Sequence, residues 1–508
     1  MTFVSYNFIL FLIVTAVLYY TCFRRLQWQL LLAASIVFYA FSGLTNLIYI
    51  GVTVVSVYIA GRVLEAVPKK KENARKRRLV MLSCLILNLG ILVVVRYSGF
   101  FVPSVSIIWP LAISFYTFQS LGYLFDVYRG KAAEKCFFRY ALFAMFFPQM
   151  VVGPISRYGD LGASLYSRKT FDGFGFSEGV NRIFWGFFKK IVVADRLIPV
   201  IRELTGANIT GFGGLGAGSA EAVTGSEPAY MGVYVLFTVF LYAITIYSDF
   251  TGSIDITIGV ARALGVSVKE NFDMPFYSRN IAEYWRRWHI TMGTWFKDYL
   301  FYPMTTSKTV LRFMKFTRRI FGEHAGRRIP VYLCTLVLWF LTGFWHGATW
   351  NFIAWGLANG VVIIISQELA PLKSFLTAKA AKNAKSAKII NVLAIFGTFW
   401  LMNFIRAFDI YPGVGNTFRS LGSIVTNPNI GGFKLTPLGL DVFDYVVIAL
   451  CCLTMILTGI FSRRNAAAGR KVQPFTRYAA CAALGFAILI FGAYGFGYDV
   501  TLFIYNQF

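Results

Sequence analysis

Two histidines stand where an apolar chain can least easily carry them. Trp285-Arg286-Arg287-Trp288 leads into His289, and His346 is centred in Gly343-Phe344-Trp345-His346-Gly347. The whole chain of 508 residues holds 3 histidines. An ionisable group at membrane depth is costly, so it marks a functional site by default. Imidazole is also the side chain best suited to move protons near neutral pH. A neutral imidazole has one donor and one acceptor nitrogen. His346 could therefore take a proton from a substrate hydroxyl and hand it to a leaving thiolate. That is general acid–base catalysis of acyl transfer, worth roughly 10² to 10⁴ in rate. The competing reading is a core histidine bonded between helices. Thr342 and Thr349 lie close enough in sequence to hold freed backbone groups, and Gly343 and Gly347 let backbone approach or bend.

His289 follows two arginines, whose like charge should lower its proton affinity. Held neutral, it could orient His346 or polarise a thioester carbonyl. Arg286 and Arg287 could grip the phosphates of a carrier thiol such as coenzyme A through paired donors, or lie on an interfacial helix against headgroups. His324, in Gly322-Glu323-His324-Ala325-Gly326, reads as a solvated loop residue. Asp249, Asp255 and Asp298 read as partners of nearby basic residues rather than as catalysts.

These residues need a scaffold, and composition says which kind. The chain is 57% hydrophobic and 14% charged, with mean hydropathy +0.61; a soluble protein of this length carries far more charge. Apolar blocks long enough to cross a hydrocarbon core recur at 4–20, 28–42, 46–64, 79–95, 105–124, 137–152, 180–200, 229–248, 329–346, 349–366, 390–408, 443–461 and 478–496. The expectation is an all-α polytopic membrane protein, one domain over 1–508, with roughly 10 to 13 crossings and the remaining blocks re-entrant or interfacial. The first block lacks a basic flank before it, while Arg24-Arg25 follow it, so it reads as a retained helix with its N-terminus outside.

The net charge of +26 falls mostly in loops: Lys69 to Arg78, Arg129 to Arg139, Arg312 to Arg328, Lys373 to Lys388 and Arg463 to Lys471. This is the positive-inside pattern, with anionic lipid rather than nucleic acid as the partner. The segments 205–228 and 411–441 then fall outside. The 7 cysteines show no metal or disulfide spacing, and neither half repeats the other as many carriers do. The segment 249–303 is too polar to face lipid and is expected to line a cavity or lie at the interface, with Ile281 to Tyr302 as one amphipathic helix. Phosphate-binding, serine-hydrolase and zinc-protease motifs do not occur.

At the level of motifs the chain resembles the membrane-bound O-acyltransferase family, in particular its alginate O-acetylase branch. The resemblance is carried by Leu32–Tyr39, Pro110–Gly130, Phe147–Arg157, Tyr247–Gly252, Glu270–Pro275, Ser278–Tyr299, Leu341–Trp355, Asn403–Asp409 and the terminal Phe503–Phe508. It implies a ring of helices around a central funnel with a thin layer at its middle. His346 is implied as the catalytic residue and His289 as the second, across that layer. Trp285, Arg286, Arg287, Asn271 and Trp345 are then candidates for contact with the donor. The implied reaction passes an acyl group from a cytoplasmic thioester, acetyl-coenzyme A in this branch, towards an exported polysaccharide. No tightly bound cofactor or metal is implied; a separate extracytoplasmic acetyltransferase of the SGNH type is the implied partner, and the bacterial cytoplasmic membrane the location. The chain departs from the pattern in its long basic segment 303–328 and at Asn506, where an aromatic is usual. A related branch transfers D-alanine from a carrier protein to teichoic acid and shares both histidines. A flippase for a lipid-linked sugar and a non-enzymatic export scaffold remain as readings from other classes.

Overall fold

The computed structural model describes residues 3–101, 110–205, 230–347, 349–381, 383–435, 438, 440–468 and 473–494. Most of the segment 205–228 and all of Phe503–Phe508 lie outside the described residues, as do 105–109 of the block 105–124 and parts of 411–441, 478–496 and the basic run that ends at Lys471.

Among the described residues the chain is all-α, and its helices are α1 Tyr6–Tyr20, α2 Gln27–Ala40, α3 Leu44–Ala66, α4 Ala74–Phe101, α5 Ile113–Tyr128, α6 Phe137–Met145, α7 Tyr158–Tyr166, α8 Gly173–Phe187, α9 Asp195–Thr205 and α10 Val233–Ala263. They continue as α11 Ile281–Arg287, α12 Ile290–Phe296, α13 Tyr302–Thr305, α14 Lys308–His346, α15 Trp350–Glu368, α16 Ala370–Ala381, α17 Ala384–Ile410, α18 Val414–Thr426, α19 Val442–Ala467 and α20 Pro474–Phe491. Among the described residues, 8 helices are long and apolar enough to cross a membrane: α3, α4, α10, α14, α15, α17, α19 and α20. α1 and α2 are apolar but shorter. The chain is thus a multi-pass membrane protein.

Three apolar blocks become something other than a single long helix, each for a physical reason. Block 137–152 stops at Met145; a 3-10 turn Phe147–Gln149 and an extended run follow, because Pro148 and Pro154 interrupt the ladder. That run is pinned by its own Gln149, whose Nε2 donates to Pro154 O at 2.9 Å, and by Gln119 on the helix Ile113–Tyr128, whose Oε1 accepts from Ser156 N–H at 3.0 Å. Block 105–124 yields α5, 16 residues buried on nearly every side, so protein rather than lipid surrounds it. Block 180–200 is divided by a π-helical turn, Phe188–Ala194.

That π turn resolves the fate of two aspartates. The chain divides into two compact units, 1–197 with 244–270 and 442–508, and 198–243 with 271–441. Within the first, Lys190 is fully buried and its Nζ lies 2.6 Å from both Asp249 and Asp195. Lys189 pairs with Asp255, and Arg182 Nε reaches the same carboxylate at 2.5 Å. Glycines make this approach possible. A Cβ on Gly186 or Gly179 would collide with the backbone of Gly252 or Gly259. The expectation that 249–303 begins a polar cavity lining is therefore corrected at its start. α10 runs on through Asp249 and Asp255 to Ala263, because buried cations from the neighbouring helix neutralise both carboxylates.

The basic segment after α13 is also helical. α14 is broken at Gly322, whose φ of 77° turns the chain. Lys308, Arg312, Lys315 and Arg319 share one face of its first part by helical spacing, and His324 is exposed just past the break, in helix rather than loop.

Candidate active site

The second unit holds both singled-out histidines. The stretch Ile281 to Tyr302 is not one helix, which corrects the expectation above. Asn280 caps α11, its Oδ1 accepting from Glu283 N at 2.8 Å, a strong start signal. The helix ends at Arg287; Trp288 is extended and His289 adopts φ 49° and ψ 52°. This left-handed conformation costs a residue with a Cβ about 1 to 2 kcal/mol. Strain of this kind persists only where its surroundings over-determine it, and it clusters at functional sites.

Asn271 supplies that determination from 18 residues upstream. Its carbonyl accepts Ile290 N–H at 2.9 Å. Its Oδ1 accepts Thr291 N–H at 3.0 Å and the Thr291 hydroxyl at 2.9 Å. Together these satisfy the first donors of α12, which would otherwise be orphaned. Its Nδ2 lies 3.1 Å from His289 Nδ1. Asp273 N–H adds a bond to Arg287 O at 3.0 Å, so 271–273 and 287–291 are clamped at two points. His289 is 2% exposed. Burial pushes its pKa down to about 3. The cause is desolvation rather than the neighbouring arginines: Arg287 is held by Glu283 at 2.6 Å, and Arg286 is exposed.

His346 terminates α14 and is 6% exposed. Its ring is boxed by aromatics: Trp345 at 4.7 Å, Trp355 edge-on at 4.7 Å and Phe352 stacked at 6.0 Å between centroids. The two flanking hydroxyls serve the backbone, Thr342 donating to Leu338 O at 2.8 Å and Thr349 capping α15. A Cβ on Gly347 would strike the Phe352 ring, so the glycine after His346 is what lets that ring close the box.

A cluster of indole rings joins His346 to α11, the helix that leads into His289. Trp355 touches His346, and its centroid is 5.8 Å from that of Trp285, four residues before His289 in the chain. Trp285 also contacts Trp339 at 4.8 Å and donates its N–H to Asn359 at 3.2 Å. On the other side of His289, α12 ends in Phe296, whose ring is 6.3 Å from Trp345. Of the donor-contact candidates, Trp285, Trp345 and Asn271 are thus brought into the scaffold around the histidines. Arg287 is engaged by Glu283, and Arg286 points outward.

Sequence reasoning passed over Arg406. It is 1% exposed, lies 4.2 Å over the ring of Trp288 and donates to Tyr284 Oη at 3.0 Å. It therefore props the last turn of α11 directly before His289. The available signal was an arginine inside the apolar span 390–408, within the motif Asn403–Asp409. Asn351 was also missed; it donates to Phe408 O at 3.1 Å and Tyr411 O at 2.6 Å, tying α15 to the end of α17.

These features define a class: a helical multi-pass membrane protein that boxes one histidine in aromatics at the end of a span and holds a second, strained one on a buried amide. Comparison with known proteins places it further. The chain is similar to a probable alginate O-acetylase of Pseudomonas putida, 31% identical over 377 residues, covering 71% of this chain and 69% of the relative. It is similar to a peptidoglycan O-acetyltransferase of Helicobacter pylori, 29% identical over 374 residues, 66% of this chain and 63% of the relative. A teichoic acid D-alanyltransferase of Streptococcus thermophilus matches at 26% over 258 residues, 50% of this chain and 56% of the relative. No family model matches the chain. The chain belongs to the membrane-bound O-acyltransferase family, on the alginate O-acetylase side. It spans just under two thirds of the length of three further probable alginate O-acetylases that it matches, 66%, 63% and 64%.

Proposed function

We propose that this chain is an intramembrane O-acyltransferase. It takes an acetyl group from acetyl-coenzyme A on the cytoplasmic side and passes it across the membrane for O-acetylation of an exported cell-surface polysaccharide. His346 acts as general base and then general acid. It accepts the proton of the acceptor hydroxyl as that oxygen bonds the thioester carbonyl carbon, and returns it to sulfur as the C–S bond breaks. His289 stabilises the carbonyl oxygen. The reading places the chain in a bacterial cytoplasmic membrane and gives it an extracytoplasmic acetyltransferase of the SGNH type as partner for the final transfer.

One observation carries the proposal. The imidazole of His346 is buried among three aromatic rings at the end of a membrane-length helix, and such a site excludes the water that would hydrolyse a thioester. Relatives named for O-acetyl transfer support the acetyl donor. The D-alanyl reading is supported by a relative that matches a shorter part of the chain.

The test is to incubate the purified full chain with labelled acetyl-coenzyme A. Release of coenzyme A, abolished in His346→Ala with membrane insertion unchanged, is expected. Turnover only with a D-alanyl carrier thioester would select the other donor. A His346→Ala protein that still releases coenzyme A at the wild-type rate would sink the catalytic assignment. Loss of lipid-linked sugar translocation with no thioester turnover would favour the flippase.

A further inference from the structure

The geometry around Asn271 assigns a tautomer. We infer that Asn271 is a positioning residue that locks His289 with its proton on Nε2, so that this histidine offers a hydrogen-bond donor, and no base, to the reacting groups.

The orientation of the Asn271 amide decides the matter. Its oxygen and nitrogen are alike in shape, so the bonds they make must tell them apart. Thr291 N–H is a donor only, and it lies 3.0 Å from Oδ1. The Thr291 hydroxyl adds a second proton to the same oxygen at 2.9 Å. An amide oxygen has two lone pairs, and both are now taken. The amide nitrogen is left to meet the imidazole, and it is the nearer atom: Nδ2 is 3.1 Å from His289 Nδ1, against 3.3 Å for Oδ1. An NH₂ group can only donate, so Nδ1 must accept. In a neutral imidazole the proton then stands on Nε2.

The backbone makes the arrangement rigid. Asn271 is fully buried, its carbonyl holds Ile290 N–H at 2.9 Å, and His289 is kept at φ 49°. Neither partner can turn without breaking the start of α12. The depressed pKa of the buried ring agrees with a histidine that stays neutral. A neutral Nε2–H can donate to a carbonyl oxygen as negative charge builds on it, the role of an oxyanion-hole donor. It cannot also accept the acceptor's proton, which leaves that task to His346. The inference deepens the O-acyltransferase reading and rests on it for the use of the donor, though not for the tautomer.

The experiment labels histidine with ¹⁵N in the full chain, reconstituted in nanodiscs. With 3 histidines the spectrum is assignable, His289→Gln removing one set of signals. The wild type should show a pyridine-type Nδ1 and a pyrrole-type Nε2 for His289, unchanged between pH 5 and 8. Asn271→Asp keeps an oxygen for Thr291 but places a second acceptor opposite Nδ1. The proton should move to Nδ1, and kcat for acyl transfer should fall by about 10²-fold with the donor KM nearly unchanged, as when an oxyanion-hole donor is lost. A pyrrole-type Nδ1 in the wild type overturns the inference, and so does full activity in an Asn271→Asp protein whose tautomer has inverted. The wild-type spectrum decides the tautomer even where the variant does not fold. A confirmed tautomer in a protein without thioester turnover would overturn the enzymatic reading alone.

Discussion

Gly343 and Gly356 meet at the crossing of the hairpin that carries His346: a Cβ on Gly356 would stand 3.0 Å from the Cα of Gly343 and collide with Trp339 O. α14 and α15 therefore touch backbone to backbone, three residues before the histidine. Small residues at such crossings let helices associate by close packing where lipid offers no hydrophobic drive. The consequence is positional, because the depth of the crossing sets where Trp355 and Phe352 stand against the imidazole.

Gly356→Ala should therefore cost about 1 to 3 kcal/mol through overpacking. It should also lower acyl transfer more than it lowers the amount of folded protein. Thermal melting in detergent and thioester turnover on the same preparation check this. A variant with the wild-type midpoint would show that the crossing is loose.

Arg406→Lys tests the prop under α11. The guanidinium stacks on Trp288 and bonds Tyr284 at once, and an ammonium cannot do both. The expected loss is about 1 to 2 kcal/mol, read as a lower melting temperature together with a fall in turnover. Unchanged melting would mean that the helix before His289 stands without it.

Lys190→Met probes the buried charges of the first unit. Removing the lysine leaves Asp195 and Asp249, each 2.6 Å from its Nζ, facing one another without it, a cost of about 3 to 5 kcal/mol. The triple variant with Asp195→Asn and Asp249→Asn should recover much of this, which chemical denaturation in detergent would reveal. A single variant as stable as the wild type would exclude a structural role for the lysine.

The depressed pKa of His289 makes a prediction about acid. Its folded value of about 3 lies below the usual 6.5, so between these two pH values the unfolded state binds the extra proton. Stability then rises with pH across that window and is lost as pH falls through it. Acid lability below about pH 6.5 should be shallower in His289→Gln than in the wild type. Melting midpoints at pH 7.5 and pH 5 decide it, and equal slopes would contradict a buried neutral imidazole.

Hydropathy alone locates the spans that become α3, α4, α10, α14, α15, α17, α19 and α20, because burial of an apolar helix in lipid depends on the local run of residues and on nothing distant. His289 and His346 were likewise conspicuous in the sequence as ionisable residues in apolar surroundings, and both are buried in the fold. What the linear chain did not show is every relationship that pairs distant residues. The break at His289 exists because Asn271, 18 residues away, caps the helix that follows it. The continuation of α10 through Asp249 and Asp255 exists because Lys190 and Lys189 arrive from another helix. Local pattern favours one helix over Ile281 to Tyr302, and the apolar run 229–248 stops just before the first carboxylate of α10. Tertiary hydrogen bonds and buried ion pairs override it in both places, being formed only once the chain has folded.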